Sequence, residues 1–179
     1  MSVTIRELTN VEDVVALEPV VLEFFRIVCG FLKSDFDVHL SPEEPTATMM
    51  ATPEKFIPPI GRGYVAEDDG SLIGMIFLKP LRDGEFEVKR LYLRHEARGL
   101  GLGKRLVRHV IKVATDLGAS GLYLDSIPSL SAAISLYEAE GFAHTAPYPG
   151  SEIGSNDLLR ELGVYMYLPL EPAIGDTES

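Results

Sequence analysis

A single α/β domain is what this sequence predicts, and three observations predict it. Extended runs and helical patterns succeed one another along 179 residues that are 46% hydrophobic, enough to bury one sizeable core and short for two. Two tight-turn signals, Asp68-Asp69-Gly70-Ser71 and Asp83-Gly84, join extended runs in the middle of the chain. A glycine-rich segment, Arg98-Gly99-Leu100-Gly101-Leu102-Gly103-Lys104, then separates the extended run Phe86 to Leu93 from a helical pattern that begins at Leu102.

In chain order, Val3 to Leu8 alternates as a strand, and Asn10 is placed to cap a helix. Val14 to Leu32 has helical periodicity, but Pro19 should end one helix and begin another. Ser34 to Ile60 holds five of the twelve prolines and reads as a loop with one short helix. Gly63 to Glu67 and Leu72 to Leu81 form a hairpin, and Glu85 to Leu93 follows the second turn. Leu102 to Leu117 is an amphipathic helix with Leu102, Leu106, Val107, Val110, Val113, Ala114 and Leu117 on one side, and Gly118 can stop it. Leu122 to Leu124 is a short strand, Leu130 to Glu140 a helix, Phe142 to Thr145 a strand, and Gly163 to Leu170 closes the sheet. Residues 171–179 are polar, contain Pro172 and Gly175, and are expected to form a disordered tail beyond a domain of residues 1–170.

The run from Phe86 to Leu93 carries a change of parity. Its apolar residues are even-numbered early, Phe86 and Val88, and odd-numbered later, Leu91 and Leu93. A pleated strand does this when both faces are buried or when an extra residue resets the alternation, and a bulge near Lys89 and Arg90 would supply that residue.

The glycine segment is suited to phosphate, because three glycines let backbone N–H groups converge where a helix dipole begins. A dinucleotide fold requires G-x-G-x-x-G directly after its first strand, whereas these glycines run G-x-G-x-G after a connector, Arg94 to Ala97. A Walker loop needs Ser or Thr after its Gly-Lys, and Lys104 is followed by Arg105. A pyrophosphate held by amides without a metal remains, which describes coenzyme A.

With Leu-Tyr-Leu at 91–93, Arg98-x-x-Gly101-x-Gly103, Leu-Tyr-Leu-Asp-Ser at 122–126 and Ala133-Ile-Ser-Leu-Tyr137-Glu-Ala-Glu-Gly141-Phe142, the chain resembles the GNAT superfamily of acetyl-CoA-dependent N-acyltransferases. The likeness spans about residues 3 to 170, and the superfamily's [Arg/Gln]-x-x-Gly-x-[Gly/Ala] loop is matched at every fixed position. It implies a three-layer fold with a mixed, mostly antiparallel central sheet and a splayed cofactor cleft between the fourth and fifth strands. It also implies that acetyl-CoA is held by Arg98, Gly99, Leu100, Gly101, Leu102, Gly103 and Lys104. Main-chain groups of Leu91, Tyr92 and Leu93 would pair with the pantetheine arm, the Leu91 N–H polarising the acetyl oxygen. Residues 34–60 would form the acceptor side.

Amide formation from a thioester needs a neutral amine and a proton for the departing thiolate. An alkyl amine of pKa about 10.4 is neutral in fewer than about one molecule in a thousand at pH 7, so a base or desolvation helps. By resemblance, Glu87 is the candidate base, with a solvent-facing carboxylate or a partner for Lys89 or Arg90 as the plainer reading, and a water chain as the alternative base. Tyr137 is the candidate general acid, or else a core aromatic. Leu130 stands where many relatives carry asparagine. The insert Gly150 to Glu161 reads as a solvent loop rather than a wall of the acceptor pocket.

Composition limits the partners. A net charge of −11 opposes nucleic acid and attracts cationic acceptors. The single cysteine, Cys29, excludes an intramolecular disulfide, fits a reducing compartment, and among apolar neighbours reads as a buried thiol. His39, His95, His109 and His144 have no metal-ligand spacing and read as surface or loop residues, so no metal is expected. Val20 to Leu32 carries Glu23 and Arg26 and is too short to span a bilayer, and the first residues lack a signal pattern, so neither membrane nor export is expected and the cytoplasm is the expected location. The expectation is acetyl transfer from acetyl-CoA to a primary amine, a small molecule being favoured over a protein N-terminus or lysine. The rivals are an acyl-CoA-binding regulatory module and a transferase of a larger acyl group. Oligomeric state is open, a dimer included.

Overall fold

The computed structural model describes residues 2–82 and 84–171. The tail expected at 171–179 therefore falls, from 172 onward, outside the described residues, as does Asp83 of the second turn. A seven-stranded sheet runs through the molecule in the order β1 (Val3–Glu7), β2 (Arg62–Asp68), β3 (Ser71–Arg82), β4 (Glu85–Leu93), β5 (Gly121–Ser126), β7 (Val164–Pro169), β6 (Ala143–His144). Among the described residues only β4 and β5 pair in parallel, so the sheet is mixed and mostly antiparallel, as expected. The parallel pair is joined through α4 (Leu102–Asp116), the crossover that parallel neighbours require.

Local chemistry explains the helix ends. The Asn10 side chain accepts from the Asp13 amide at 2.8 Å, while the Asp13 carboxylate accepts from the Thr9 amide at 3.2 Å, so α1 (Val11–Val15) starts on a reciprocal cap. Pro19 opens α2 (Glu18–Phe36) in its first turn, where no intrahelical donor is lost. That helix runs past Leu32 and stops at Asp37, whose left-handed φ of 54° lets Asp37 and Val38 donate back to Lys33 and Leu32. The one short helix expected in the proline-rich region is α3 (Glu43–Met50). Asp69 and Gly70 both have positive φ, the turn that suits the twist of the β2–β3 hairpin.

Two apolar layers cover the sheet. On one face α4 and α5 (Ser131–Ala139) pack through Leu106, Val107, Val110 and Tyr137 onto Ile76, Leu78, Val88 and Leu122. On the other, α1, α2 and α3 pack through Val14, Val21 and Met49 onto Val65, Met75 and Phe77. Complete burial of a Leu or Val is worth about 1.5–3 kcal/mol, so the fully buried stripe of α4 anchors that helix firmly. Leu117 departs from the expected stripe: it lies at the C-cap of α4 and is exposed.

The parity change in β4 is a bulge. Met75 pairs with Tyr92 and Phe77 with Lys89, so Ile76 faces both Arg90 and Leu91. Arg90 is the extra residue, at φ 54°. As a result Phe86, Val88, Leu91 and Leu93 all belong to the α4–α5 layer, although they change parity. Tyr92 packs on the other face.

Candidate active site

The strand pair at the centre of the sheet comes apart. β4 and β5 are in register only at Glu85–Gly121, Phe86–Leu122 and Glu87–Tyr123, although both strands continue. Beyond that point Val88 to Leu91 on one side and Ser126 and Ile127 on the other border a cavity of about 350 Å³. Phe24, Phe25 and Leu32 of α2 and Glu44 of α3 extend its wall.

At the end of β4, Arg98 turns back, its Nε donating to the Leu93 carbonyl at 3.0 Å. Gly99 and Gly101 follow at φ 76° and 73°, and Gly101 is the N-cap of α4. A side chain at Gly101 would meet no neighbour, so the backbone angle is the reason for glycine there. Gly103 has a different reason: a β-carbon would lie 3.1 Å from Leu136, so its absence lets α4 approach α5 closely. Among the described residues no side chain caps the helix, and its first turn carries no acidic residue, which leaves the amides and the positive dipole end for an anion. The Lys104 ammonium lies 3.7 Å from Glu140, which also receives Arg108 at 2.8 Å.

Of the residues named from sequence, Leu91 and Tyr137 are on the cavity wall. The segment Arg98 to Lys104 lies outside it, past the end of β4. Leu93 packs into the α4 layer, and Tyr92 turns to the opposite face, where its hydroxyl donates to Glu23 at 2.6 Å. Tyr137 is buried, with its ring edge-on to Phe142 at 5.6 Å. Burial raises its hydroxyl well above the usual tyrosine range, against a smaller pull from Lys89, so it holds its proton.

Glu87 is not on the wall. It is fully buried, neither solvent-facing nor in contact with the cavity. Its Oε1 accepts from the Tyr148 hydroxyl at 2.7 Å and from Lys89 at 3.3 Å, and its Oε2 has no hydrogen-bond partner among the described residues. Burial raises its pKa, with Lys89 opposing.

Lys89 is the centre of this charge cluster. Its ammonium, on a side chain only 5% exposed, lies 2.9 Å from Asp125, 3.3 Å from Glu87 and 3.5 Å from Glu152. Burial opposes its charge, but Asp125, Glu152 and Glu87 together hold it protonated above the usual lysine range. Burial likewise works against the ionised forms of Asp125 and Glu152, but Lys89 with the Ser151 hydroxyl and the Ile153 amide at Asp125, and Lys89 with Arg90 and Lys79 at Glu152, together outweigh it and leave both pKa values lowered.

The segment 150–161 corrects the expectation of a solvent loop. Asp125 accepts from the Ser151 hydroxyl at 2.7 Å and the Ile153 amide at 3.1 Å, which ties the segment to the end of β5. Ser151 is fully buried, Leu159 joins Leu32 and Ile127 in an apolar cluster, and Glu152 enters the cavity wall. Cys29 is also corrected: it is half-buried and lines the cavity, its thiol pKa raised by burial. His109 is neither surface nor loop; it sits on α4 with its ring edge-on to Tyr64 at 4.3 Å and its Nε2 sealed from solvent. Among the described residues no group of three His, Cys, Asp or Glu side chains is arranged to hold a metal, and no helix is long and apolar enough to cross a membrane.

The family profile described as acetyltransferase (GNAT) matches residues 28–142, which takes in the C-terminal half of α2, the split strands, the glycine loop and Tyr137. The chain belongs to the GNAT acetyltransferase family. An uncharacterized N-acetyltransferase of Schizosaccharomyces pombe is 34% identical over 129 residues, covering 71% of this chain and 79% of that one. A GNAT acetyltransferase from Staphylococcus aureus Mu50 superposes with a TM-score of 0.73 at 20% identity, over 95% of this chain and 100% of the other. The PaiA N-acetyltransferase of Thermoplasma acidophilum, solved with coenzyme A, gives 0.64 at 22% identity over 95% and 100%. These two share the GNAT fold, including its open sheet. The chain is accordingly an acetyltransferase of the GNAT family.

Proposed function

We propose that the protein moves acetyl from acetyl-CoA to the primary amine of a small molecule by direct attack. The carrying observation is the parting of β4 from β5 beside an uncapped helix N-terminus, with Leu91 and Tyr137 on the wall of the cavity so formed. In this reading the pyrophosphate lies on the amides of Gly99 to Lys104, and the pantetheine arm runs along β4 from Leu93 to Leu91 as an added strand. The Leu91 N–H polarises the thioester carbonyl, and such a donor is worth about 3–4 kcal/mol of transition-state stabilisation. Attack forms the C–N bond and breaks the C–S bond, and Tyr137, which holds its proton, delivers it to the thiolate.

Of the two bases left open by the sequence, the buried position of Glu87 favours water. Its carboxylate is sealed behind Lys89, so a proton leaving the amine meets cavity solvent first. Glu87 then serves to hold Lys89 and Tyr148. The cavity, about 350 Å³, suits a small acceptor.

The test is calorimetric titration with acetyl-CoA, followed by thiol release over a panel of amines. Micromolar binding with amine-dependent thiol release is expected. Binding without release from any amine would leave an acyl-CoA-binding module, and absence of binding would remove the reading altogether.

A further inference from the structure

Arg90, the extra residue of the β4 bulge, is a buried cation only partly matched. Its side chain is 4% exposed, and the guanidinium touches one carboxylate, Glu152, through Nη2 at 3.3 and 3.4 Å. Nε and Nη1 have no hydrogen-bond partner among the described residues. Two rings flank the group, Phe25 at 5.3 Å and Phe56 at 5.4 Å from Cζ, which partly offsets the loss of water but supplies no acceptor. Buried donors are normally paired, and an ionised group left short of partners is costly, so this arrangement calls for an anion.

The position of Arg90 says where that anion would come from. Arg90 lines the cavity, and so does the half-buried Phe25, one of the two rings that flank it. Leu91, which follows it in the chain, is where the thioester carbonyl is polarised in the reading above. Glu152, whose side chain is 45% exposed, is the carboxylate of the Lys89 cluster with room to meet a ligand. The cavity therefore presents a cation and an anion side by side, with apolar surface from Leu32 and Ile127 beyond them. Lys89 is already matched by Asp125, Glu87 and Glu152, whereas a bare amine would leave the two unmatched donors of Arg90 without an acceptor. An amine with a carboxylate beside it would place its negative group on Arg90 and its amino group toward Glu152.

We infer that the acceptor is an amine bearing an adjacent carboxylate, an amino acid with an apolar side chain, whose carboxylate is bound by Arg90. This rests on the proposed transfer reaction and names its acceptor class.

The experiment compares phenylalanine and leucine with their decarboxylated amines, phenethylamine and isopentylamine, and with their amides, by thiol release at saturating acetyl-CoA. The acids should be used at least tenfold better in kcat/KM. Arg90→Gln should remove that preference mainly through KM, and Arg90→Lys should keep part of it. Thermal unfolding of both variants, and calorimetry of their CoA complexes with N-acetylphenylalanine, separate loss of recognition from loss of fold. Equal or better use of the decarboxylated amines would overturn the inference, as would a preference unchanged in Arg90→Gln. If acetyl-CoA binds and other amines turn over but none of the acids does, the acceptor assignment falls and the transferase reading stands. If acetyl-CoA does not bind, both fall.

Discussion

The two ends of the cleft are built on opposite plans. At the proposed cofactor end the groups on offer are backbone: positive-φ glycines, amides left uncapped by any side chain at the start of α4 and a strand edge released by β5. At the proposed acceptor end they are long-range side chains: Lys89 and Arg90 from β4, Asp125 from β5 and Glu152 from the segment after β6 meet in a small volume. A backbone site tolerates changes of side chain and keeps one ligand. A charge cluster of this kind is costly to alter but resets recognition, since each member sets the protonation of the others.

This contrast predicts unequal responses to mutation. The largest effect belongs to Lys89→Met, which leaves Asp125, Glu87 and Glu152 facing one another with their shared cation gone. A loss of about 3–5 kcal/mol in urea unfolding is expected, and a loss under about 1 kcal/mol would mean the cluster is solvated rather than buried. Gly101→Asp should do the reverse. Its carboxylate would compete for the helix N-terminus, weakening acetyl-CoA binding by roughly a hundredfold, or about 2.7 kcal/mol, while the left-handed backbone at this position lowers stability by only about 1 kcal/mol. Comparable loss of stability would show that the loop is structural.

Tyr137→Phe should lower kcat by roughly a hundredfold, at the low end for a general acid, with acetyl-CoA affinity unchanged. Unaltered turnover would leave Tyr137 as a core aromatic. A smaller effect is expected from pH. The pKa of Asp125 is lowered on folding, so its contribution is present above the unfolded value of about 3.9 and is lost as pH falls through the folded value. Glu87 has the opposite sign: its raised pKa costs stability above about 4.3 and the cost is relieved as pH falls. Asp125→Asn should therefore be less stable at pH 7 and show a flatter loss below pH 4 than the wild type in urea titrations. The smallest effect, under about 1 kcal/mol, should follow Lys104→Ala, because its ammonium is half-exposed at 3.7 Å and the buried Glu140 keeps Arg108 at 2.8 Å.

The same contrast explains what was legible in the sequence. The parity of Phe86, Val88, Leu91 and Leu93 narrowed β4 to a bulge or burial on both faces, and the turn at Asp69-Gly70 could be read from its residue types, because both are local consequences of backbone geometry. The loop from Arg98 to Lys104 was legible as a phosphate-suited segment for the same reason. The segment 150–161 was misread because its determinants are distant: Ser151 and Ile153 are fixed by Asp125, some twenty-six to twenty-eight residues earlier. A signal was present in Ile153 and Leu159, two of the three large apolar residues of the stretch, which join the cluster with Leu32 and Ile127 while Leu158 stays exposed. The burial of Glu87 behind Lys89 had no such signal, since alternation alone puts Glu87 and Lys89 on one face without saying what covers it.

Hydrogen exchange with and without acetyl-CoA tests the division most directly. The cofactor should slow exchange at the amides from Gly99 to Arg105 and along β4 from Val88 to Leu93, leaving the 150–161 segment nearly unchanged until an acceptor is added. Slowing confined to that segment, with the glycine loop unaffected, would contradict a cofactor held by backbone at the split.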